Sequence, residues 1–501
     1  MENGTDGKRT VVIGAGLGGL SAAVSLASAG YSVDVFEKNN HVGGKLNRLE
    51  MEGFSFDLGP SILTLPHYFR RLWARAGKNM DDEISLKSVN PHWRNLFEDG
   101  TVADLYIDPV MRENEVRKLG GEKAVQRFRR YLNYSANQYD IAEQGYFEQG
   151  FDTASEMIKF YDAKSLIQYD YWTTMHKRNA KLLKNRYLVD IMDYFIKYVG
   201  SSALRAPAFM NLMPTIQFRY DLWYVTGGMY ELARAMEKLA RELGVSIHLN
   251  TEITRIETRE QRVRGVATKE GTFHEADVVV SNMEVIPAYQ RLLDEDDGFM
   301  HELERFAPAC SGLVLHIGTD KEYPQLAHHN FVYSRNQEQH FKSVFEKGVI
   351  PDDPTLYVVA PSRSDRSVCP PGCDNIKILP HIPPIDPQKP VTHEQYRALR
   401  DRVLDKMGRV GLDDLRDHII VEHLWTPVDI EKNYYSNKGS IYGVVSDKKK
   451  NLGLKAPKKS ARYENLYFVG GSVNPGGGMP MVVLSGQNAA RMIIDRYGSA
   501  R

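Results

Sequence analysis

The chain has 501 residues, with 64 Lys+Arg balanced by 64 Asp+Glu for a formal net charge of zero, 26% charged and 42% hydrophobic residues. At about 150 residues per domain this is globular composition for two to four structural units, which excludes a disordered or fibrous chain and gives nucleic-acid binding no basic excess to work with. Three cysteines cannot build a disulfide framework and no uninterrupted run of 18 apolar residues exists, so the expectation is an intracellular protein, soluble or attached to a surface, with no transmembrane helix.

Val11, Val12 and Ile13 read as a buried strand. Gly14-Ala15-Gly16-x-x-Gly19 follows as G-x-G-x-x-G, opening a small-residue helix that stops near Gly30, and residues 33–36 read as a second strand closed by Glu37-Lys38. Gly14 permits the tight turn, Gly16 lets the backbone approach a pyrophosphate, and Gly19 lets helix and strand pack closely. The helix start offers free N–H groups and a positive dipole end, and the acid suits a ribose 2′-hydroxyl while repelling a 2′-phosphate. A glycine-rich turn is the bland reading of the motif alone. With strand, helix, second strand and acid in register, the pattern points to FAD or NAD rather than NADP. Gly43-Gly44-Lys45 and Phe56-Asp57-Leu58-Gly59-Pro60-Ser61 come next. Taken alone the first is a flexible loop, but together they resemble the extension that wraps the flavin in the FAD-dependent amine oxidase and phytoene desaturase superfamily. That resemblance implicates Gly44, Lys45, Gly59, Pro60 and Ser61 in flavin binding.

Farther along, residues 93–97 and 101–106 read as a hairpin turned by Asp99-Gly100. Residues 131–198 hold 15 aromatics in 68 positions, about twice the chain-wide 10%. Two readings stay open: an amphipathic helical core, or an apolar tunnel or membrane-facing lip lined by rings. Residues 228–243 carry apolar side chains at spacings of three and four, which predicts a helix stopped by Gly244, and short strands are expected at 246–249, 252–257, 262–268 and 277–280. In the superfamily a segment like 252–257 passes beside the adenine, which makes Ile253 a cofactor candidate as well as an ordinary core residue. His328 and His329 are adjacent and point apart, so they are a poor chelate, although one could reach a substrate. Cys369 and Cys373 lack further ligands, so no metal site is expected. No G-x-S-x-G elbow supports a serine hydrolase. Six lysines fall within residues 448–459, either a solvated loop or a contact for anionic lipid.

Residues 466–469 read as a strand, 470–480 as a loop with five glycines, and 481–496 as a helix with Pro480 at its start. Gly471, Ser472 and Met479 are the cofactor candidates here; a plain linker before a terminal helix is the alternative. Nucleotide signals at both ends of the chain imply a discontinuous domain. The expected architecture is α/β plus α+β: a Rossmann-like FAD-binding domain of residues 1–85, 222–299 and 441–501, and a substrate-binding domain of antiparallel sheet and helices from 86–221 and 300–440.

The fingerprint, the 56–60 turn and the C-terminal glycine loop resemble those of the bacterial carotenoid desaturases of the phytoene desaturase family, over nearly the whole chain. Residues 194–202, 323–331, 442–450 and 470–480 are closest to a branch of that family, the diaponeurosporene and diapolycopene oxygenases. Desaturases proper usually carry Thr-His-Pro-Gly-Ala-Gly where this chain has Val473-Asn474-Pro475-Gly476-Gly477-Gly478. The resemblance implies FAD as cofactor, a linear carotenoid as substrate and oxidation of its terminal methyl group, at the surface of the cytoplasmic membrane. Desaturation or isomerisation, and a non-catalytic isoprenoid-binding escort, are the alternatives. Asn474 and His329 are the catalytic candidates it suggests.

Overall fold

The computed structural model describes residues 8–499. Its first strand, β1 (Arg9–Ile13), takes the centre of a five-stranded sheet because Val11, Val12 and Ile13 are apolar on both faces, as a parallel strand covered on both sides requires. β2 (Ser32–Phe36) lies on one side of it with Ser246–His248 beyond; Val278–Ser281 lies on the other with Leu466–Phe468 beyond, every pair parallel. Stretches separated by more than 400 residues thus share one sheet.

The helix between β1 and β2, α1 (Leu17–Ala27), is buried along its whole length. Its small residues let the C-terminal helix Met479–Tyr497 come close enough that a Cβ on Gly486 would lie 2.5 Å from the Gly18 carbonyl oxygen. Ser21 Oγ donates to the Val483 carbonyl at 2.6 Å, tying the two ends of the chain together. The helix expected over 228–243 forms as Tyr230–Glu242, and the expected strands as Ser246–His248, Ile253–Arg259, Arg262–Thr268 and Val278–Ser281.

An eight-stranded sheet makes the second layer. In order it runs Ile419–Trp425, Val314–Thr319, Asp374–Ile382, Leu356–Val359, His329–Val332, Trp93–Leu96 and Val102–Leu105, with Ser311–Gly312 also pairing with Asp374–Ile382. The expected hairpin is its edge, joined through a parallel pairing of Trp93–Leu96 with His329–Val332, and all other pairs are antiparallel. Every residue of Asp374–Ile382 is buried. Helices from 109 to 220 cover this side, the longest broken at Gly120-Gly121. Among the described residues no helix is long and apolar enough to cross a membrane.

The structure divides the aromatic-rich stretch three ways: Tyr131, Tyr139, Tyr169 and Tyr194 are core, Tyr146, Phe147 and Tyr198 line a cavity, and Phe160 and Trp172 face outward. It also corrects the view of the 448–459 lysines as one solvated or lipid-facing run. Lys455 is buried with its ammonium on the Val444 carbonyl and Ser446 Oγ, and Lys458 is buried against the Gly150 carbonyl and Asp152. Lys449 and Lys450 alone among these lysines are exposed.

Candidate functional site

A cavity of about 380 Å³, within the usual range for ligand sites, opens at the carboxyl edge of the parallel strands and runs to the face of the mixed sheet. Gly14 sits at φ +93°, a conformation glycine adopts without strain, and donates to the Phe36 carbonyl at 2.8 Å. Gly16 starts α1 without a side-chain cap, leaving the first-turn N–H groups of the helix at the cavity wall. A Cβ on Gly16 would lie 2.5 Å from Asn282 Nδ2, and one on Gly19 only 2.1 Å from the Gly14 carbonyl oxygen. Gly19 therefore closes helix against turn and does not itself line the cavity. Glu37 accepts from the N–H groups of Ala15 at 2.8 Å and Asn39 at 2.9 Å, so Ala15 lies just behind the wall.

Gly43 donates to the Ala15 carbonyl at 2.8 Å, which brings the Gly43-Gly44-Lys45 segment onto the turn. Lys45 Nζ bonds Glu284 at 3.1 Å and the Ser440 and Ile441 carbonyls at 2.8 and 3.1 Å. Gly59 leaves no room for a Cβ, which would lie 1.8 Å from the Lys45 carbonyl oxygen. Pro60 and Ser61 continue the wall, and Ser61 Oγ is buried with no partner among the described residues. At the other end of the wall Lys38 donates to the Lys432 carbonyl at 3.0 Å beside the Tyr435 ring, next to Ile253 in the lining.

The C-terminal loop forms the facing wall. Gly471 and Met479 line the cavity, while Ser472 lies behind it and accepts from the Val285 N–H at 3.0 Å. The helix Met479–Tyr497 starts at Gly478 without a side-chain cap, with Pro480 in its first turn, so a second helix N-terminus faces the same space. Two glycine turns, two uncapped helix starts, an acid at the end of β2 and a buried unpartnered hydroxyl fit a dinucleotide carrying a flavin.

Beyond these walls the lining turns apolar: Met210, Met213, Ile216, Leu379, Trp425 and Met481. Neither Asn474 nor His329 belongs to the lining. Asn474 Oδ1 accepts from Tyr146 Oη at 2.7 Å and the Lys455 N–H at 2.8 Å, holding the glycine loop from behind. His329 is buried on its strand with Nδ1 3.0 Å from Tyr357 Oη, and burial keeps its imidazole neutral by pushing its pKa far down. Three residues not singled out by sequence do reach the cavity. Asn282 follows the strand Val278–Ser281 and packs on Gly14, Gly16, Gly18 and Gly470, with no local motif to mark it. Lys377 donates to the Asp57 and Gly59 carbonyls at 2.9 and 2.7 Å, and burial lowers its pKa to about 8 despite the nearby Asp57. Lys197 stands among aromatic rings. Both lysines interrupt apolar or aromatic runs, a signal legible in the sequence.

Residues 17–494 match the family model described as flavin containing amine oxidoreductase. The chain is 55% identical over 486 residues to a 4,4'-diapolycopene oxygenase from a Methylomonas species, covering 97% of this chain and 98% of the relative. It is 50% identical over 496 residues to a 4,4'-diaponeurosporene oxygenase from Staphylococcus aureus, covering 99% of each. Among solved structures, an oxidoreductase from Methanosarcina mazei shares the fold with a TM-score of 0.64 at 16% identity, over 97% of this chain and 100% of that one.

Proposed function

The chain belongs to the family of flavin-containing amine oxidoreductases, and on that premise we propose that it oxidises the terminal methyl group of a linear carotenoid of the diaponeurosporene or diapolycopene type to an aldehyde. It is an FAD-dependent oxidoreductase. FAD, when bound, would supply a two-electron acceptor for hydrogen taken from an activated C–H bond; methyl to aldehyde removes four electrons, so the acceptor would serve twice with reoxidation between, and water would supply the oxygen atom. In this reading Gly14, Gly16 and the uncapped start of α1 receive the pyrophosphate, Glu37 the ribose, and Gly59, Pro60, Ser61, Gly471 and Met479 surround the flavin. In the same reading the flavin-binding unit is residues 1–85, 222–299 and 441–501, of which 1–7 and 500–501 lie outside the described residues, and the substrate-binding unit is 86–221 with 300–440.

One observation carries the substrate: the cavity leads from the glycine turns into a wall of methionine, leucine, isoleucine and tryptophan side chains. A linear carotene has no polar handle, so its affinity comes from buried hydrocarbon at about 25 cal/mol per Å². Such a substrate resides in a bilayer, and an outward apolar face supports peripheral docking there. Ile158, Ile167 and Trp172 are 63%, 70% and 72% exposed, and the helix Ala163–Gln168 buries no residue at all. Lys159 and Lys164 lie exposed in this stretch, and Lys448 Nζ donates to the Trp172 carbonyl at 2.7 Å, next in sequence to the exposed Lys449 and Lys450, so cations accompany the apolar side chains as anionic headgroups require. Tyr169 and Tyr171, beside this face, pack on Phe209, which lines the cavity.

The test is product analysis in cells that supply a linear carotene. Mass spectrometry is expected to show oxygen gained at a chain end as a terminal aldehyde. Hydrogen loss with a longer chromophore and no added oxygen would assign the protein to the desaturases.

A further inference from the structure

Five lysines are buried in this chain: Lys197, Lys377, Lys406, Lys455 and Lys458. Four have oxygen partners in pairs. Lys377 has two backbone carbonyls, Lys406 has Glu98 and Asp353, Lys455 has the Val444 carbonyl and Ser446 Oγ, and Lys458 has the Gly150 carbonyl and Asp152. Lys197, 5% exposed, makes no hydrogen bond or ion pair among the described residues. Its Nζ stands 4.2, 4.3, 4.8 and 5.0 Å from the ring centroids of Tyr357, Tyr198, Phe331 and Trp93. The rings belong to neighbouring strands of the mixed sheet and to the 3-10 turn Phe195–Val199 that carries the lysine.

Four aromatic faces can soften the burial of a cation but cannot accept the strong hydrogen bonds its three donors lose. No carboxylate offsets the desolvation, which pushes the amine pKa well below its ordinary value. Lys197 and its neighbour Tyr198 both line the cavity. The missing partner is therefore an acceptor oxygen on whatever fills that space. The apolar lining around it selects a ligand that is hydrocarbon apart from that atom.

We propose that Lys197, within its ring of Tyr357, Tyr198, Phe331 and Trp93, is a positioning residue that holds the hydroxyl or carbonyl oxygen at the end of a partly oxidised carotenoid. The proposal rests on the carotenoid reading above. It gives the site a preference for oxygen-bearing chain ends over the parent hydrocarbon, as a methyl group taken through an alcohol to an aldehyde requires. A flavin carbonyl has the same acceptor chemistry, so the experiment must separate the two sources.

The measurement is binding to the purified flavin-loaded protein of a linear carotene and of its terminal aldehyde, each delivered from detergent. Wild type is expected to prefer the aldehyde and to shift its absorption to longer wavelength, because a donor on a conjugated carbonyl oxygen stabilises its excited state. In Lys197→Met the preference is expected to fall about tenfold, the equivalent of about one hydrogen bond, with the absorption shift lost and the flavin content and spectrum unchanged. Lys197→Gln, which keeps an N–H donor, is expected to recover part of both and guards against a folding defect in the methionine variant. An unchanged preference, equal weakening of both ligands, or a change confined to the flavin spectrum overturns the proposal. Wild type that binds neither ligand overturns the carotenoid reading itself, whereas wild type that binds both equally overturns only the subsite.

Discussion

The two walls of the cavity are made of different material. Around Gly14, Gly16, Gly44 and Gly471 the wall is backbone: a Cβ on Gly16 would lie 2.5 Å from Asn282 Nδ2, and Gly14 and Gly44 hold φ of +93° and +57°, which favours glycine. Across from it, on the mixed sheet, the wall is side chains: Val314, Lys377, Leu379 and Trp425 come from three strands, and Lys197 from a turn packed on a fourth. Backbone recognition demands particular glycines at particular spacings. Side-chain recognition demands only that distant positions converge, and many sequences meet that demand. The first wall is set up to bind a group shared by many enzymes, the second to choose among hydrocarbons.

The largest expected effect tests the backbone wall. Gly16→Val is expected to abolish flavin retention, since a side chain there occupies the space a pyrophosphate needs against the chain. The nearest obstacle to that side chain is Asn282 Nδ2, the movable end of a side chain. Adding Asn282→Ala therefore relieves the internal clash while leaving the phosphate approach blocked, and the double variant is also expected to purify without flavin. If it regains stoichiometric FAD, the glycine serves packing, not the cofactor.

The same contrast explains what the sequence made legible. The fingerprint, the helix over 230–242, the parallel strands and the C-terminal glycine loop each carry a local pattern, and each forms within a few residues of its expected span. Asn474 and His329 stand out in sequence as polar residues in distinctive stretches, yet both are buried behind the wall with protein partners. Asn282 packs on Gly14, Gly16, Gly18 and Gly470, from two distant chain segments, and nothing near it in sequence announces that. The lysines of 448–459 look alike in sequence. Only the fold separates Lys455 and Lys458, which staple loops, from Lys449 and Lys450, which meet solvent.

A second, smaller effect tests the outward face on the side-chain half. Trp172→Ser combined with Ile167→Ser is expected to weaken co-sedimentation with anionic vesicles about tenfold, because two exposed apolar side chains lose their burial in the headgroup region. Lys449→Gln with Lys450→Gln is expected to weaken it by up to about thirtyfold at low salt, at about 1 kcal/mol per charge, and by little at 1 M salt where screening shortens to about 3 Å. Vesicle binding that ignores both pairs of substitutions would move the docking face elsewhere.

The smallest effect is a slope, and it probes the seam between the walls. Lys377 reaches from the mixed sheet to the Asp57 and Gly59 carbonyls of the glycine wall, and its pKa of about 8 in the folded protein lies below the ordinary lysine value. Between those two values the unfolded chain holds a proton that the folded protein does not. Stability from this group is therefore fully present above the ordinary lysine pKa and is lost as the pH falls towards about 8, so it rises with pH across that window by at most about 1.4 kcal/mol per unit. Lys455, lowered to about 7, adds a slope of the same sign, so only the difference between wild type and variant is informative. Lys377→Met is expected to flatten the rise in denaturation midpoint between pH 8 and about pH 10 while leaving the Lys455 contribution in place. Removing the lysine also removes the positive charge that holds the Asp57 pKa down against burial, so in the variant Asp57 takes up its proton at a higher pH than in wild type; because its folded pKa lies above the ordinary carboxylate value, that protonation adds stability as the pH falls. Parallel curves for the two proteins across the alkaline window would mean that Lys377 stays fully charged in the folded state, and that the seam is held by an ordinary ammonium in a wetter site than the packing indicates.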